Sequence, residues 1–166
     1  MKHPEVPEKL LAALDRLLDS PLSDLAGEMQ EPQALIEHDT PLEKVLSLLR
    51  DFDHLWVKES SGSGLPAGIV TRRDMLSSLM PPRSGYTDLR STRQASVSRG
   101  TADCASCYIA HKQAPVCRKD DTVADLVRIA VRSGETVVAV ADGDLFMGEL
   151  GVEGLLKRLL VLAEGE

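Results

Sequence analysis

Thr71, Arg72, Arg73 and Asp74 are the residues of this chain whose types and spacing could do chemistry on a small molecule. They lie in the run Gly68-Ile69-Val70-Thr71-Arg72-Arg73-Asp74-Met75-Leu76. Its first three residues read as the end of a buried strand. Thr71 reads as the N-cap of a helix, with its hydroxyl accepting from first-turn N–H groups. The strand then feeds the helix without a loop. Orphan N–H groups and the positive end of the helix dipole collect at such a junction, and two arginines beside them suit it to an anion. Asp74 lies one turn on, on the face of Thr71, where a carboxylate can accept two hydrogen bonds from a vicinal diol. Together these groups suit a ribose and a phosphate. The same Thr-x-x-Asp spacing also makes an ordinary helix cap.

The elements that must position these residues follow from periodicity. Leu10, Leu11, Leu14, Leu17 and Leu18 recur at helical spacing from Pro7 to Leu18, which predicts an amphipathic helix ended by Pro21. Leu22 to Met29 reads as a short lead-in turn or helix and Ala34-Leu35-Ile36 as a short strand. Asp39-Thr40-Pro41 then opens a helix carrying Leu42, Val45, Leu46 and Leu49. Leu55-Trp56-Val57 is a second strand, Ser60 to Gly64 a hairpin loop, and Ala67 to Val70 the third strand, leading into a helix that runs to about Met80. Pro81-Pro82 stops that helix. Residues 81–101 hold Arg83, Arg90, Arg93 and Arg99 against Asp88, a basic linker that is either a solvated connection or a source of phosphate contacts.

After the linker the pattern returns. Asp121-Thr122 falls on Asp39-Thr40, Val127 on Val45, Val131 on Leu49 and Val137-Val138-Ala139 on Leu55-Trp56-Val57. Beyond the shorter loop Asp142-Gly143-Asp144, Gly148 falls on Gly68 and Leu155-Leu156 on Met75-Leu76. A strand–helix–strand–strand–helix unit is therefore present twice. Neither copy buries its sheet face alone, so the two are expected to pack face to face about a pseudo-twofold axis, with the crevice between them as the ligand site.

Composition limits what such a chain does. Its 166 residues are 43% hydrophobic and 27% charged, the ordinary globular range. A net charge of -7 opposes a general nucleic-acid or anionic-membrane binder, and 3% aromatics leaves no stacking platform for single strands. No apolar run reaches a membrane span, and the N-terminus lacks the apolar core of a signal peptide. Three cysteines fit a reducing compartment better than a disulfide scaffold, so the expected location is cytoplasmic.

The element order, the tandem repeat, the Asp-Thr before each first long helix and above all the GIVTRRDML junction resemble a pair of cystathionine-β-synthase (CBS) domains, the regulatory Bateman module. The resemblance covers about residues 21–162, strongly in the first repeat and more weakly in the second. It implies an α+β fold of two βαββα repeats with an extra N-terminal helix: residues 1–20 the helix, 21–80 the first repeat, 81–102 the linker and 103–162 the second repeat. It also implies a non-enzymatic sensor that binds an adenosine-containing ligand (AMP, ADP, ATP or S-adenosylmethionine), dimerises with a second copy and acts on a regulated protein. The family's Gly-x-x-Thr-x-x-Asp run maps onto Gly68, Thr71 and Asp74, with Ile69 between them. Arg72 or Arg73 would then screen the phosphates. Main-chain groups of the first strand and apolar side chains of the second would hold the base, which implicates Ala34, Leu35, Trp56 and Val57. In the second repeat Gly151 and Gly154 stand where Thr71 and Asp74 stand, so one site per chain is expected. The alternative is a dimerisation scaffold with no ligand.

Cys104, Cys107, His111 and Cys117 have ligand types and spacing that could hold Zn²⁺, which would make a metal-binding CBS protein. The repeat argues against it, because the four fall on Leu22, Leu25, Met29 and Leu35, and free cysteine serves as a small buried hydrophobe. Strand alternation would place Cys117 and Leu35 in their crevices. His3, His38 and His54 read as surface or turn histidines, and Glu149, Glu153, Glu164 and Glu166 as a solvated helix face. No nucleophile, base and oxyanion group converge, so an enzyme is not expected.

Overall fold

A computed structural model describes residues 7–37, 39–58, 62–79 and 112–165. They form two compact units that do not follow chain order. One comprises 32–114, and the other joins the N-terminal residues up to Glu31 to the segment from Pro115 onward.

The 32–114 unit is built on a four-stranded sheet in the order β1 (Leu35–Glu37), β2 (His54–Lys58), β3 (Pro66–Thr71), β4 (Lys112–Gln113). β1 and β2 run parallel and the remaining neighbours antiparallel. The parallel pair needs a crossover, which α2 (Leu42–Asp51) supplies. Val45 and Leu49 of α2 pack with Ile36, Leu55, Val57 and Val70 in one core, and Met75 of α3 (Arg72–Leu79) closes its edge. Alternation along β2 sends Leu55 and Val57 to this core and turns His54 and Trp56 to the opposite face.

The other unit repeats the plan with β5 (Val116–Arg118), α4 (Val123–Ser133), β6 (Val137–Asp142), β7 (Leu145–Gly151) and α5 (Val152–Glu164). β5 and β6 are parallel and β6 and β7 antiparallel. α4 opens on a reciprocal cap between Thr122 and Asp125 and closes on Gly134, which at φ 73° occupies the left-handed region. The N-terminal helix α1 (Glu8–Asp19) buries Ala13 and Leu17 in this unit, and the Arg16 guanidinium donates to the Leu162 carbonyl of α5 at 2.8 Å. A short 3-10 turn, Leu22–Leu25, follows and sinks both leucines into the same core.

The lead-in of each repeat is thus exchanged. Gln30 bonds Glu149 of β7 in both directions, at 2.9 and 2.8 Å, while β4, from the lead-in of the second repeat, pairs with β3. Gln30 faces Glu149 as Lys112 faces Ile69. In each sheet the exchange covers N–H and C=O groups that an edge strand would leave unpaired.

Strand pairing also fixes the repeat register. Leu35, Trp56 and Ile69 lie side by side, as Val116, Ala139 and Glu149 do, and Ile36, Val57 and Gly68 correspond likewise to Cys117, Val140 and Gly148. The alignment at Gly148 holds, but elsewhere the register expected from sequence slips by one residue. Leu126, not Val127, is the buried counterpart of Val45, and Cys117 corresponds to Ile36, not to Leu35. Adjacent apolar residues such as Leu126-Val127 give a sliding comparison nothing to choose between. Two further expectations are corrected here. Cys117 lines no crevice: it is 1% exposed, within the core formed by Val123, Leu126, Val138 and Val140. Glu149 belongs to no solvated helix face: it lies on β7 and is 3% exposed.

Candidate functional site

The junction at Thr71 has the local form its sequence demands. Thr71 ends β3 and Arg72 begins α3 with no residue between them. The Asp74 carboxylate accepts at Oδ2 from the Thr71 backbone N–H and from its hydroxyl, both at 2.9 Å, and the Asp74 N–H donates back to Thr71 Oγ1 at 3.2 Å. This is a capping box, and Asp74 is preorganised by it. The Thr122–Asp125 pair makes the same three bonds, at 3.2, 2.9 and 3.3 Å. There the Thr122 hydroxyl and N–H hold the Asp125 carboxyl below its ordinary range, helped by the Arg128 guanidinium. The hydrogen bonds alone therefore do not tell a ligand-holding Thr-x-x-Asp from a helix cap.

What surrounds the pair differs. By alternation Leu35, Trp56, Ile69 and Thr71 share the sheet face turned away from the helices. Trp56 and Ile69 are fully buried on that face, while Leu35 is 37% exposed. Val57 and Gly68 belong to the other face; Val57 is in the core beneath the helices, and its side chain is not brought to Thr71. Ala34 contributes its main chain, its carbonyl accepting from the Trp56 N–H at 2.9 Å, and its side chain packs at the core margin.

The two arginines have different surroundings. Arg72 donates from Nε to the Leu49 carbonyl at 2.7 Å and from Nη2 to the Arg50 carbonyl at 2.9 Å, and its Nη1 lies 2.8 Å from Asp53. It pins the C-terminal end of α2, where carbonyls lack intrahelical partners, to the start of α3. Arg73 is exposed.

His54, expected from the sequence to be a surface or turn histidine, lies instead on β2 and is half-buried. It is the cross-strand partner of Thr71, and its ring meets Trp56 edge-on, with centroids 5.6 Å apart and planes at 80°. Extending the Leu55-Trp56-Val57 strand by one residue would have placed it there.

In the second repeat the positions equivalent to Gly68 and Asp74 are closely approached. A side-chain carbon at Gly148 would lie 2.8 Å from the Gln30 carbonyl oxygen, and one at Gly154 would lie 2.9 Å from Leu150 and 3.1 Å from the Glu28 carbonyl. The exchanged lead-in runs where a carboxylate at 154 would have to stand. Of the candidate metal ligands, Cys104, Cys107 and His111 lie outside the described residues. Cys117 is in the core, where burial first, then the nearby Asp121 and Asp125 carboxylates, push its thiol up to about 12. Among the described residues no group of three metal-ligating side chains occurs.

The family model of the CBS domain matches residues 19–81, the segment that carries this junction. That segment is a CBS domain. No curated protein matches the chain in sequence. Solved structures of CBS-domain proteins match its fold over most of their length. The CBS domain of a bacterial CNNM/CorC family Mg²⁺ transporter in complex with ATP aligns with a TM-score of 0.62 and 15% identity, covering 92% of this chain and 96% of that one. CBSX2 in complex with AMP aligns at 0.59 and 18%, covering 84% and 96%. A CBS domain-containing protein of Thermotoga maritima aligns at 0.63 and 13%, covering 89% and 97%. The α+β repeats and the additional N-terminal helix of this protein are those expected from its sequence. No helix among its described residues is long and apolar enough to cross a membrane.

Proposed function

We propose that this CBS-domain protein is a non-enzymatic regulatory module that binds an adenosine-containing ligand, AMP, ADP, ATP or S-adenosylmethionine, at its first repeat. The observation that carries the reading is the Thr71–Asp74 pair at a strand–helix junction inside the segment matched by the CBS family model. Two proteins of the same fold are described with ATP and AMP bound, which supports this ligand class. Asp74 holds the ribose diol, Thr71 orients Asp74, and Arg73 screens the phosphates, while Arg72 keeps the α2–α3 corner rigid. The main chain of Ala34 and Leu35 and the exposed side chain of Leu35 hold the base, with Trp56 and Ile69 as the firm wall behind. Cap and diol draw on the same carboxylate, so occupancy bears directly on the start of α3. Binding then favours one of two conformations that a regulated protein distinguishes. A cytoplasmic location belongs to the same reading.

The reading includes pairing with a second copy. An apolar groove of about 260 Å³ lies between α4 and α5, lined by Val127, Val131, Val138, Leu150, Val152 and Leu155 among others. Val131, Val152, Leu156 and Leu160 stand exposed on those helices. α4 exposes Arg128 and Arg132, and α5 exposes Glu153 and Glu164 beside Lys157. An apolar groove flanked by exposed apolar side chains, with exposed charges of both signs on the two helices, suits a twofold contact in which α4 of each copy meets α5 of the other.

Calorimetric titration of AMP, ADP, ATP and S-adenosylmethionine into wild type, Asp74→Ala and Asp125→Ala tests the reading. Saturable binding to wild type and Asp125→Ala that Asp74→Ala loses is the expected result. Equal null titrations in all three would leave a dimerisation scaffold.

A further inference from the structure

We propose that Arg72 couples the ligand junction at Thr71 and Asp74 to the C-terminal turn of α2, so that occupancy of the first repeat is felt at the end of a second helix. The inference rests on the nucleotide reading of that repeat and adds the element that carries the signal outward.

The crossover helices of the two repeats end differently. α4 closes on Gly134, whose left-handed backbone brings its N–H to the Ala130 and Val131 carbonyls, and the Glu135 N–H adds a bond to Ala130. That end is satisfied from within its own segment. α2 has no such glycine. It ends on Phe52 in extended conformation, with the Phe52 N–H on the Leu48 carbonyl, and the next two carbonyls, those of Leu49 and Arg50, accept from the Arg72 guanidinium at 2.7 and 2.9 Å. The last turn of α2 is therefore completed by a side chain of α3.

The backbone at the two corners is otherwise alike. The Arg72 N–H donates to the Asp53 carbonyl at 3.1 Å, and the Val152 N–H donates to the Thr136 carbonyl at 3.2 Å. Val152 carries no side-chain donor, so the second repeat lacks the fork, as it lacks the hydroxyl and carboxylate at Gly151 and Gly154. The staple is present in the repeat that keeps the ligand groups and missing from the one without them.

Arg72 sits between the two cap residues, so its backbone is held by the bonds from Thr71 to the Asp74 carboxylate and from the Asp74 N–H back to Thr71. A diol on that carboxylate loads the same turn. Opening the last turn of α2 requires either that the guanidinium release the carbonyls or that the start of α3 move with them. An occupied junction resists the second route, and opening becomes rarer. The coupling is reciprocal, so whatever holds the end of α2 closed also tightens the nucleotide.

Amide hydrogen exchange with and without saturating AMP, on wild type, Arg72→Ala and Arg72→Lys, is the test, with thermal unfolding of each protein as the check on folding. In wild type AMP should slow exchange of the amides from Leu49 to Asp53 by about fivefold or more, the lower end of coupling between sites, and leave residues 130–136 at the end of α4 unchanged. In Arg72→Ala AMP should still slow residues 71–76 but no longer 49–53. Arg72→Lys keeps the charge without the fork and should behave as the alanine variant does. Slowing at 49–53 that survives both substitutions, that is absent from a wild type which binds AMP, or that is matched at 130–136, overturns the inference while the nucleotide reading stands. AMP binding abolished in both variants with folding intact makes Arg72 a ligand contact and overturns it too. A wild type that takes up no AMP removes the reading beneath it and the inference with it.

Discussion

Asp74 Oδ2 accepts at once from the backbone N–H and the hydroxyl of Thr71, each at 2.9 Å, and Asp125 does the same for Thr122 in the second repeat. One local device therefore starts a helix in both halves of the chain, at different places in the repeat: at the third strand in the first, and before the crossover helix in the second. Removing the hydroxyl should have similar costs at the two positions. Thr71→Ala and Thr122→Ala are each expected to lose about 1 kcal/mol of stability, seen as a fall in Tm of about 2–4 °C. Only Thr71→Ala should also weaken the nucleotide.

Arg72 and Arg73 are neighbours with separable effects. Arg72→Ala breaks the contacts to Leu49, Arg50 and Asp53, and about 1–2 kcal/mol of stability should go with them, since the side chain is partly solvated. Arg72→Lys should not restore it, because an ammonium cannot reach two carbonyls and a carboxylate in the fixed fork of a guanidinium. Arg73→Ala should leave the unfolding midpoint in place and lower affinity for AMP. Denaturant unfolding and titration of the three variants separate these outcomes.

Gly148 and Gly154 of the second repeat stand where lead-in backbone passes close by. Gly148→Ala would push a methyl group to 2.8 Å from the Gln30 carbonyl, and a loss of about 1–3 kcal/mol is expected in chemical denaturation. Gly154→Asp, which restores the carboxylate of the first repeat in sequence, should destabilise the fold and add no second binding event to a titration with AMP.

Cys117 gives the protein an alkaline limit. Its thiol is raised to about 12 in the fold, first by burial, whereas an unfolded thiol loses its proton near about 8.5. Between those values the unfolded chain binds fewer protons than the folded one, so stability falls as pH rises from about 8.5 toward 12. Unfolding midpoints measured from pH 7 to 10 should decline less steeply for Cys117→Val than for wild type. Peptide mapping after alkylation at pH 8 should find Cys117 unmodified until denaturant is added.

The α4–α5 face predicts the state of association. Val131, 77% exposed, and Leu156 stand beside the groove, and Val131→Glu combined with Leu156→Glu should convert a dimer to a monomer in light scattering without lowering the Tm of the monomer. A wild type that is monomeric at high concentration would remove this face from the proposal.

Much of this protein was legible in its residues because the information is local. Helical spacing of leucines gives α1, alternation about Trp56 gives β2, and Thr-x-x-Asp after an apolar run gives the junction at Thr71, each set by neighbours within a turn or a pleat. The tandem repeat, and the loss of the hydroxyl and carboxylate at Gly151 and Gly154, were equally plain. What only the tertiary structure decided depends on partners far along the chain. The lead-ins change places, so that Gln30 bonds Glu149 and β4 bonds β3, because a sheet edge accepts any extended backbone and sequence does not say which one arrives. Cys117 takes the core position of Ile36 and His54 stands beside Thr71, because both follow from strand register, and register is fixed by pairing across the sheet. Arg72 staples the end of α2 to the start of α3 because the Leu49 and Arg50 carbonyls come within reach of its guanidinium, a contact that needs residues more than twenty positions away.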